Sequence, residues 1–305
     1  MVKMTTAALN HRDLWIQKGM YAGLKYPIIL GSDGCGVITK VGQDVSRDIL
    51  HDDVLINPSF NWGGEEAYQS GDYQILGLPQ DGTFAEYVAV PKDHVHELPI
   101  HLTPGQGAGL PLAGLTAYRA LFARADLKPT DKVLISGIGG GVALFAMQFA
   151  LAHGCEVWVT SSARSKIKAA KALGAKGGAN YKEEDWDKTL VKKSGSFDVI
   201  VDSAGGAGFG KLINVAGFGA RIAIYGGTAG KIEAISPQKI FWKQISILGT
   251  TMGSDRDFYN MLRFVKRHEI VPVVDEVFPF AEIEAAASKM EAGKQFGKII
   301  LDMRG

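Results

Sequence analysis

The chain has 305 residues, 46% of them hydrophobic and 21% charged, which is enough apolar material for one large or two ordinary folded domains. Its 33 Lys and Arg against 32 Asp and Glu leave a net charge of +1, which writes no polyanion-binding field into the chain and argues against nucleic acid as a partner. Cys35 and Cys155 are far apart and form no CxxC spacing, so a disulfide framework and a Cys-rich zinc site are excluded and a reducing, cytoplasmic setting is expected.

The N-terminus, MVKMTTAALNHRDLW, has no apolar targeting core. The longest apolar run, VALFAMQFALA at 142–152, is far shorter than the ~20 residues that span a bilayer, so no membrane partner is expected. Over 1–102, turn signals (GSDG, NPSFNWGG, LPQDG) separate short β-type runs such as VLIN and TFAEYVAV, which predicts an irregular, mostly β domain. HLTP at 101–104 opens a helix-entry pattern, and PLAGLTAYRALF at 111–122 has apolar residues at helical spacing.

After Pro129 the rhythm changes. KVLIS (132–136), EVWVTS (156–161), GGANY, FDVIVDSA (197–204), ARIAIYGG (220–227) and ISILGT (245–250) alternate with helical patterns at 141–153, 165–173, 183–193 and 207–216. Each parallel strand pair needs a crossover helix, so this alternation predicts an α/β fold with a doubly wound parallel sheet over 103–250. The tail, 251–305, reads as a helix at 255–266, EVFPF, a helix at 281–292 and KIILDM; with no further crossover unit it is expected to return to the first domain. The 38 glycines fall in short clusters, as tight strand-to-helix turns require.

The first of these turns runs from the strand KVLIS into Gly137-Ile138-Gly139-Gly140-Gly141-Val142-Ala143 and then a helix. Glycines there let backbone N–H groups approach a pyrophosphate at a helix N-terminus. Strict GxGxxG spacing fails at Val142, but Gly137, Gly140 and Ala143 place small residues at every third position. A tight turn without a ligand is the plainer alternative. At the end of the second strand, where NAD enzymes place an acid, stand Thr160, Ser161 and Ser162, then Arg164 and Lys166. Glu156 has the right sequence offset but lies at the wrong end of its strand, on the order of 20 Å away. Hydroxyls and cations without an acid suit a 2′-phosphate, so NADP(H) is expected over NAD(H), against the alternative of a solvated helix start.

Asn10-x-x-Asp13 followed by Gly19-x-Tyr21, PIILGSDGCGVITKVG at 27–42, DGTFAEYV at 81–88, PLAGLTAYRAL, the glycine turn and GKIIL at 297–301 together resemble the medium-chain dehydrogenase/reductase family, in its zinc-independent quinone oxidoreductase branch. The resemblance implies a GroES-like catalytic domain followed by a Rossmann domain, with the active site in the cleft between them. Zinc-dependent members carry a Cys near Leu9-Asn10 and a His-Glu pair where this chain has Ser32-Asp33, and the lobe that would hold four structural cysteines has none. Two of the three protein ligands of a catalytic zinc are therefore missing, and no zinc of the usual kind is expected. His94 and His96 lack a third ligand nearby and read as a solvated pair; His11, His51, His101, His153 and His268 are scattered. Family members carry a further hairpin before the segment equivalent to VKMTTAALN, so this chain reads as short by that hairpin, which would leave a sheet edge unpaired.

By the same resemblance Asn10 contacts cofactor or substrate, Asp13 orders the local network and Tyr21 is a proton donor or a partner of the acceptor oxygen. The alternatives are that Asn10 and Asp13 cap a helix starting near Arg12 and that Tyr21 is a packed aromatic. Cofactor contacts carried over by position are Thr116 in a nicotinamide-facing helix, Gly137, Gly140, Gly141 and Val142 at the pyrophosphate, and Ser161, Ser162, Arg164 and Lys166 at the 2′-phosphate end. Tyr181 lies by the adenosine, Ser203, Gly226, Thr228, Thr250 and Thr251 at strand ends, and Lys298 reaches in from the tail. Ordinary turn chemistry is the alternative for each Ser, Thr and Gly. Phe60, Trp62 and Met252 are the expected apolar walls for substrate. The implied activity is NADPH-dependent hydride transfer to a quinone or an α,β-unsaturated carbonyl. A 2-enoyl thioester reductase and a dinucleotide-binding protein with little turnover are the alternatives. A homodimer is expected, with ISILGT as candidate contact strand.

Overall fold

A computed structural model describes residues 1–233 and 235–304. The chain divides into two compact units, Met1–Leu115 with Met252–Gly305, and Thr116–Thr251.

The first unit begins with β1 (Val2–Ala8), α1 (His11–Gln17), β2 (Asp33–Ile38), β3 (Asp53–Ile56), β4 (Ser59–Phe60), β5 (Gln74–Ile75), β6 (Tyr87–Val88), β7 (Val95–Glu97), α2 (Pro104–Ala108) and α3 (Pro111–Tyr118). Side chains alternate across β1: Val2 and Met4 join Val54, Ile56 and Phe60 in one core cluster, while Ala7 joins Leu9, Ile299 and Leu301 in another. The run TFAEYVAV contributes only Tyr87–Val88, which pairs with the start of β1 at Lys3 and Val2. At α2, Thr103 and Gln106 form a reciprocal capping box with Pro104 in the first turn, as the HLTP pattern signals. α2 packs on β1 and β2. The first unit therefore runs on to Leu115, beyond the expected boundary at 102. α3 passes into a π-helical stretch at Arg119–Arg124.

The second unit has β8 (Lys132–Ile135), α4 (Gly141–Ala152), β9 (Glu156–Ser161), α5 (Arg164–Ala172), β10 (Gly177–Asn180), α6 (Trp186–Ser194), β11 (Phe197–Asp202), α7 (Phe209–Val215), β12 (Ala216–Ile224), α8 (Pro237–Lys243) and β13 (Ser246–Gly249). All six strands are parallel in the order β10-β9-β8-β11-β12-β13. Chain order reverses between β8 and β11, and in such sheets the crevice at the carboxyl ends beside that point binds ligands. α6 starts later than its apolar pattern because Asn180 Oδ1 accepts the Lys182 N–H at 3.0 Å and holds a turn. α7 is delayed by Gly205 and Gly206, both at φ 63°.

The tail adds α9 (Asp255–Arg267), β14 (Val274–Pro279), α10 (Ile283–Glu291) and β15 (Lys298–Asp302) to the first unit. β15 pairs antiparallel with β1 and parallel with β14, giving the order β14-β15-β1-β2-β3-β7 with β6 also on β1. Among the described residues no helix is long and apolar enough to cross a membrane.

Candidate functional site

In the second unit, β8 runs into the glycine turn. Gly137 (φ 67°) and Gly139 (φ 142°) hold backbone conformations that a side chain would strain. Thr160, at the end of β9, is committed to this turn: its Oγ1 accepts the Gly137 N–H at 3.1 Å and its carbonyl accepts the Ile138 N–H at 2.7 Å. The helix that follows, α4, has Gly140 as N-cap and no side-chain cap, so its first N–H groups are open to an anion. Lys166 lies across the turn; a Cβ on Gly139 would stand 2.9 Å from its Nζ.

The other candidates follow the same sheet edge. Ser161 ends β9, and its Oγ accepts the Ala163 N–H at 3.2 Å; Ser162 and Tyr181 are exposed. Ser203 follows β11, where its carbonyl accepts the Thr228 N–H at 3.2 Å, and Gly226 approaches so closely that a Cβ there would lie 2.9 Å from the same oxygen. Thr250 follows β13, and its Oγ1 is buried without a partner among the described residues. Thr116, the first residue of this unit, is buried, and Thr251 is its last. A glycine turn held at positive φ, an uncapped helix N-terminus and an orphaned hydroxyl at a strand end fit a dinucleotide.

Sequence reasoning missed two carboxylates here. Asp202 is buried at the end of β11, accepting from Ser136 Oγ at 2.5 Å and from the Gly205 N–H at 2.8 Å, so it ties the β8 and β11 loops together. Glu183 reaches Arg164, Oε1 to Nη2 at 2.9 Å, and so supplies an acid close to the end of β9 from the loop after β10. Glu156 sits at the other end of β9, accepting from Trp158 Nε1 at 2.9 Å.

In the first unit the structure gathers Asn10, Arg12, Asp13, Tyr21, Ser32, Asp33 and Lys298. Lys298 is 3% exposed and Asp33 fully buried, and their charges meet at 3.0 Å between Nζ and Oδ2. Lys298 Nζ also donates to Asn10 Oδ1 at 2.7 Å and to the Leu9 carbonyl at 2.9 Å. Asp33 Oδ2 accepts from Asn10 Nδ2 at 2.9 Å, and its Oδ1 accepts the Leu112 N–H at 2.7 Å, in the first turn of α3. The buried charges are thus paired and hydrogen-bonded on every side; removing one partner of such a pair costs about 3–5 kcal/mol. Lys298, expected to reach the cofactor, is engaged here instead. Its 265-residue separation from Asp33 hides the pairing from sequence inspection.

Asp13 accepts the Asn10 N–H at 2.8 Å through Oδ2, while its Oδ1 has no partner among the described residues. Burial pushes its carboxyl up to about 6, against the opposing pull of Arg12 and of the Asn10 N–H. The helix-capping alternative thus holds for the Asn10 backbone, whereas the Asn10 carboxamide binds Lys298 through its oxygen and Asp33 through one of its two N–H groups. Arg12 donates to Ser32 Oγ at 2.6 Å and to the Leu76 carbonyl at 2.8 Å, and its guanidinium lies 5.2 Å from the centre of the Tyr21 ring.

Zinc does not fit this donor set. At the positions where zinc-dependent members carry Cys and His, the chain has a carboxamide and a hydroxyl, and the Lys298 ammonium fills the space between Asn10 and Asp33. Among the described residues no three His, Cys, Asp or Glu side chains converge as a metal group.

The expected substrate walls are buried. Phe60 is core packing, stacked on His94 with ring centres 4.0 Å apart, and Trp62 sits edge-on to Tyr73 with its Nε1 donating to the Glu65 carbonyl at 2.9 Å. Met252 is buried, at φ 36°. The two histidines are not a solvated pair either: His94 is buried under Phe60, and His96, packed on Phe258, is pushed down to about 4 by burial first and by His94 second.

Residues 1–100 match the family model described as alcohol dehydrogenase GroES-like domain, and 141–267 the one described as zinc-binding dehydrogenase. A zinc-type alcohol dehydrogenase-like protein, YogA, of Leptosphaeria maculans is 33% identical, over 99% of this chain and 90% of that protein. A human quinone oxidoreductase is 27% identical, over 99% and 88%. The crystal structure of an NAD-dependent alcohol dehydrogenase superposes with a TM-score of 0.93 at 35% identity, over 99% of this chain and 91% of the other. Likeness of this extent, on a β-rich unit joined to a doubly wound one, places the chain in the medium-chain dehydrogenase/reductase family, whose members are oxidoreductases with an expected nicotinamide dinucleotide cofactor.

Proposed function

We propose that the chain is an NADPH-dependent reductase of quinones or α,β-unsaturated carbonyls that works without zinc. The observation that carries this reading is the Lys298–Asn10–Asp33 cluster: it offers a hydrogen-bond donor, the Asn10 carboxamide, held by a buried ion pair, at the positions where the zinc-dependent members carry metal ligands. A ketone or alcohol oxygen needs strong polarisation for hydride transfer, whereas a conjugated acceptor needs only hydrogen bonds to the developing enolate or phenolate and then a proton. The quinone oxidoreductase among the relatives agrees with that acceptor class.

When bound, the dinucleotide supplies the hydride. The chain's own residues do the rest. The uncapped N–H groups of Gly141 and Val142 at the start of α4 hold the pyrophosphate, and Lys166, with Ser162 and Arg164, takes the 2′-phosphate. Asn10 donates an N–H to the acceptor oxygen. Tyr21 or Asp13 supplies the proton, the latter because its carboxyl, pushed up to about 6, is partly protonated near neutral pH.

A second copy of the chain belongs to the same proposal. β13 is an edge strand of its sheet and so open to edge-to-edge pairing, and Phe218, Phe241 and Trp242 in the same unit are 77%, 60% and 75% exposed, apolar side chains that a second copy would take out of water.

The test is NADPH consumption with a quinone, an enone, a 2-enoyl thioester and an aldehyde. Turnover of the quinone or enone supports the reading, and turnover confined to the thioester shifts it to the enoyl reductase. Tight NADPH binding with no turnover of any acceptor rejects it.

A further inference from the structure

A carboxamide has two faces that look alike in shape and opposite in chemistry: the oxygen only accepts and the nitrogen only donates. Which way Asn10 points is decided by its two neighbours. An ammonium has donors and no acceptor, so the atom 2.7 Å from Lys298 Nζ must be the oxygen. A carboxylate only accepts, so the atom 2.9 Å from Asp33 Oδ2 must be the nitrogen. Turning the amide over would put N–H against ammonium and oxygen against carboxylate, two repulsive contacts in a buried site.

We infer that Lys298 is a positioning residue: with Asp33 it locks the Asn10 carboxamide so that the second N–H of Nδ2 is the group presented to a bound molecule, and thereby makes this site a donor for a substrate oxygen that gains negative charge. Asn10 Nδ2 spends one N–H on Asp33, and among the described residues the other has no partner. The ammonium on the amide oxygen polarises the remaining N–H, because it draws electron density away from the nitrogen toward the oxygen. The consequence is a class of substrate: an acceptor whose oxygen ends as an enolate or phenolate, not one that must first be deprotonated by the site. The last step rests on the proposed function; the orientation of Asn10 does not.

The lock is held by the fold. Lys298 opens β15, whose pairing with β1 carries it to Leu9 and Asn10, and Asp33 opens β2 on the other side of β1. Asp33 is in turn anchored through Oδ1 by the Leu112 N–H and through its carbonyl by Thr83 Oγ1 at 2.8 Å. Each charged partner therefore has a backbone tether independent of Asn10.

Two measurements test this on the full chain. Six asparagines give a short set of side-chain amide signals in a protein labelled with 15N-asparagine, and that of Asn10 is assigned by its loss in Asn10→Ala. Lys298→Met is expected to move or broaden this signal and to lower kcat for the quinone or enone by about 10²-fold, with NADPH affinity unchanged. Lys298→Arg, which keeps a donor-only cation, is expected to restore most of both. If Lys298→Met does not fold, Lys298→Met/Asp33→Asn, which removes both charges together, is expected to show the same loss of kcat. A folded variant without the Lys298 charge whose Asn10 signal and kcat match the wild type overturns the inference. Absence of turnover in the wild type would overturn the functional reading alone, because the amide signal still reports the lock.

Discussion

Lys166 lies across Gly139, so close that a Cβ on the glycine would stand 2.9 Å from both Cδ and Nζ of the lysine. The turn thus has a cation from α5 laid across the glycine loop, and the partner proposed for that cation is the 2′-phosphate. Lys166→Met is expected to weaken NADPH binding about tenfold, or ~1.4 kcal/mol, and to leave NADH binding unchanged. Gly139→Ala, forced to φ 142° and against Lys166, is expected to cost about 1–3 kcal/mol of stability and to weaken both dinucleotides. Fluorescence titration with both dinucleotides, alongside a urea melt, checks each variant.

Arg164 and Glu183 form an exposed ion pair, with side chains 83% and 51% accessible. Such pairs contribute ~0–1 kcal/mol, so Glu183→Gln is expected to leave stability nearly unchanged. Its effect on specificity is the informative part. With the guanidinium released, NADPH affinity is expected to rise and NADH affinity to stay the same. A loss of NADH affinity in this variant would show instead that Glu183 serves a ribose hydroxyl, as the acid of NAD enzymes does.

The Asp13 carboxyl is pushed up from 3.8 to about 6, chiefly by burial. Its folded form holds a proton more tightly than the unfolded chain does, so its ionisation weakens the fold. Its stability contribution is fully present below the unfolded value and declines as pH rises through the window between 3.8 and about 6. Asp13→Asn keeps an acceptor for the Asn10 N–H and has no charge to bury. The expected outcome is a flatter dependence of the urea midpoint on pH across that window, and loss of any kcat titration near its upper end. An unchanged pH dependence of both would show that Asp13 does not titrate there.

Trp242 and Phe241 are largely exposed on α8, next in sequence to the edge strand β13. If this surface is the dimer contact, Trp242→Glu is expected to convert a dimer to a monomer in sedimentation equilibrium with the fold retained. A dimer unaffected by the substitution would place the contact elsewhere.

The α/β alternation was legible because buried parallel strands such as Val133–Ile135 and Val199–Val201 are uniformly apolar and are separated by helical patterns. The glycine turn and Lys166 were legible for the same reason, being local to one strand-turn-helix unit. Four things were not. α8 has no buried residue, so no apolar stripe announces it. Phe60 is a pocket wall only by resemblance, and an aromatic in a turn-rich segment has no periodicity to show that it packs on His94. The Lys298–Asp33 pair depends on β15 and β2 lying on either side of β1, a relationship carried by strand order and not by any local pattern. Glu183 was missed similarly, since a loop after β10 brings it back to Arg164.

The most direct test is steady-state NADPH oxidation with a quinone and an enone, before and after exhaustive treatment of the enzyme with a zinc chelator. The expected result is turnover of one or both acceptors at a rate the chelator does not change, with NADH a poorer donor. Activity restricted to alcohols or aldehydes and abolished by the chelator, or stoichiometric zinc in the purified protein that is needed for turnover, would contradict it.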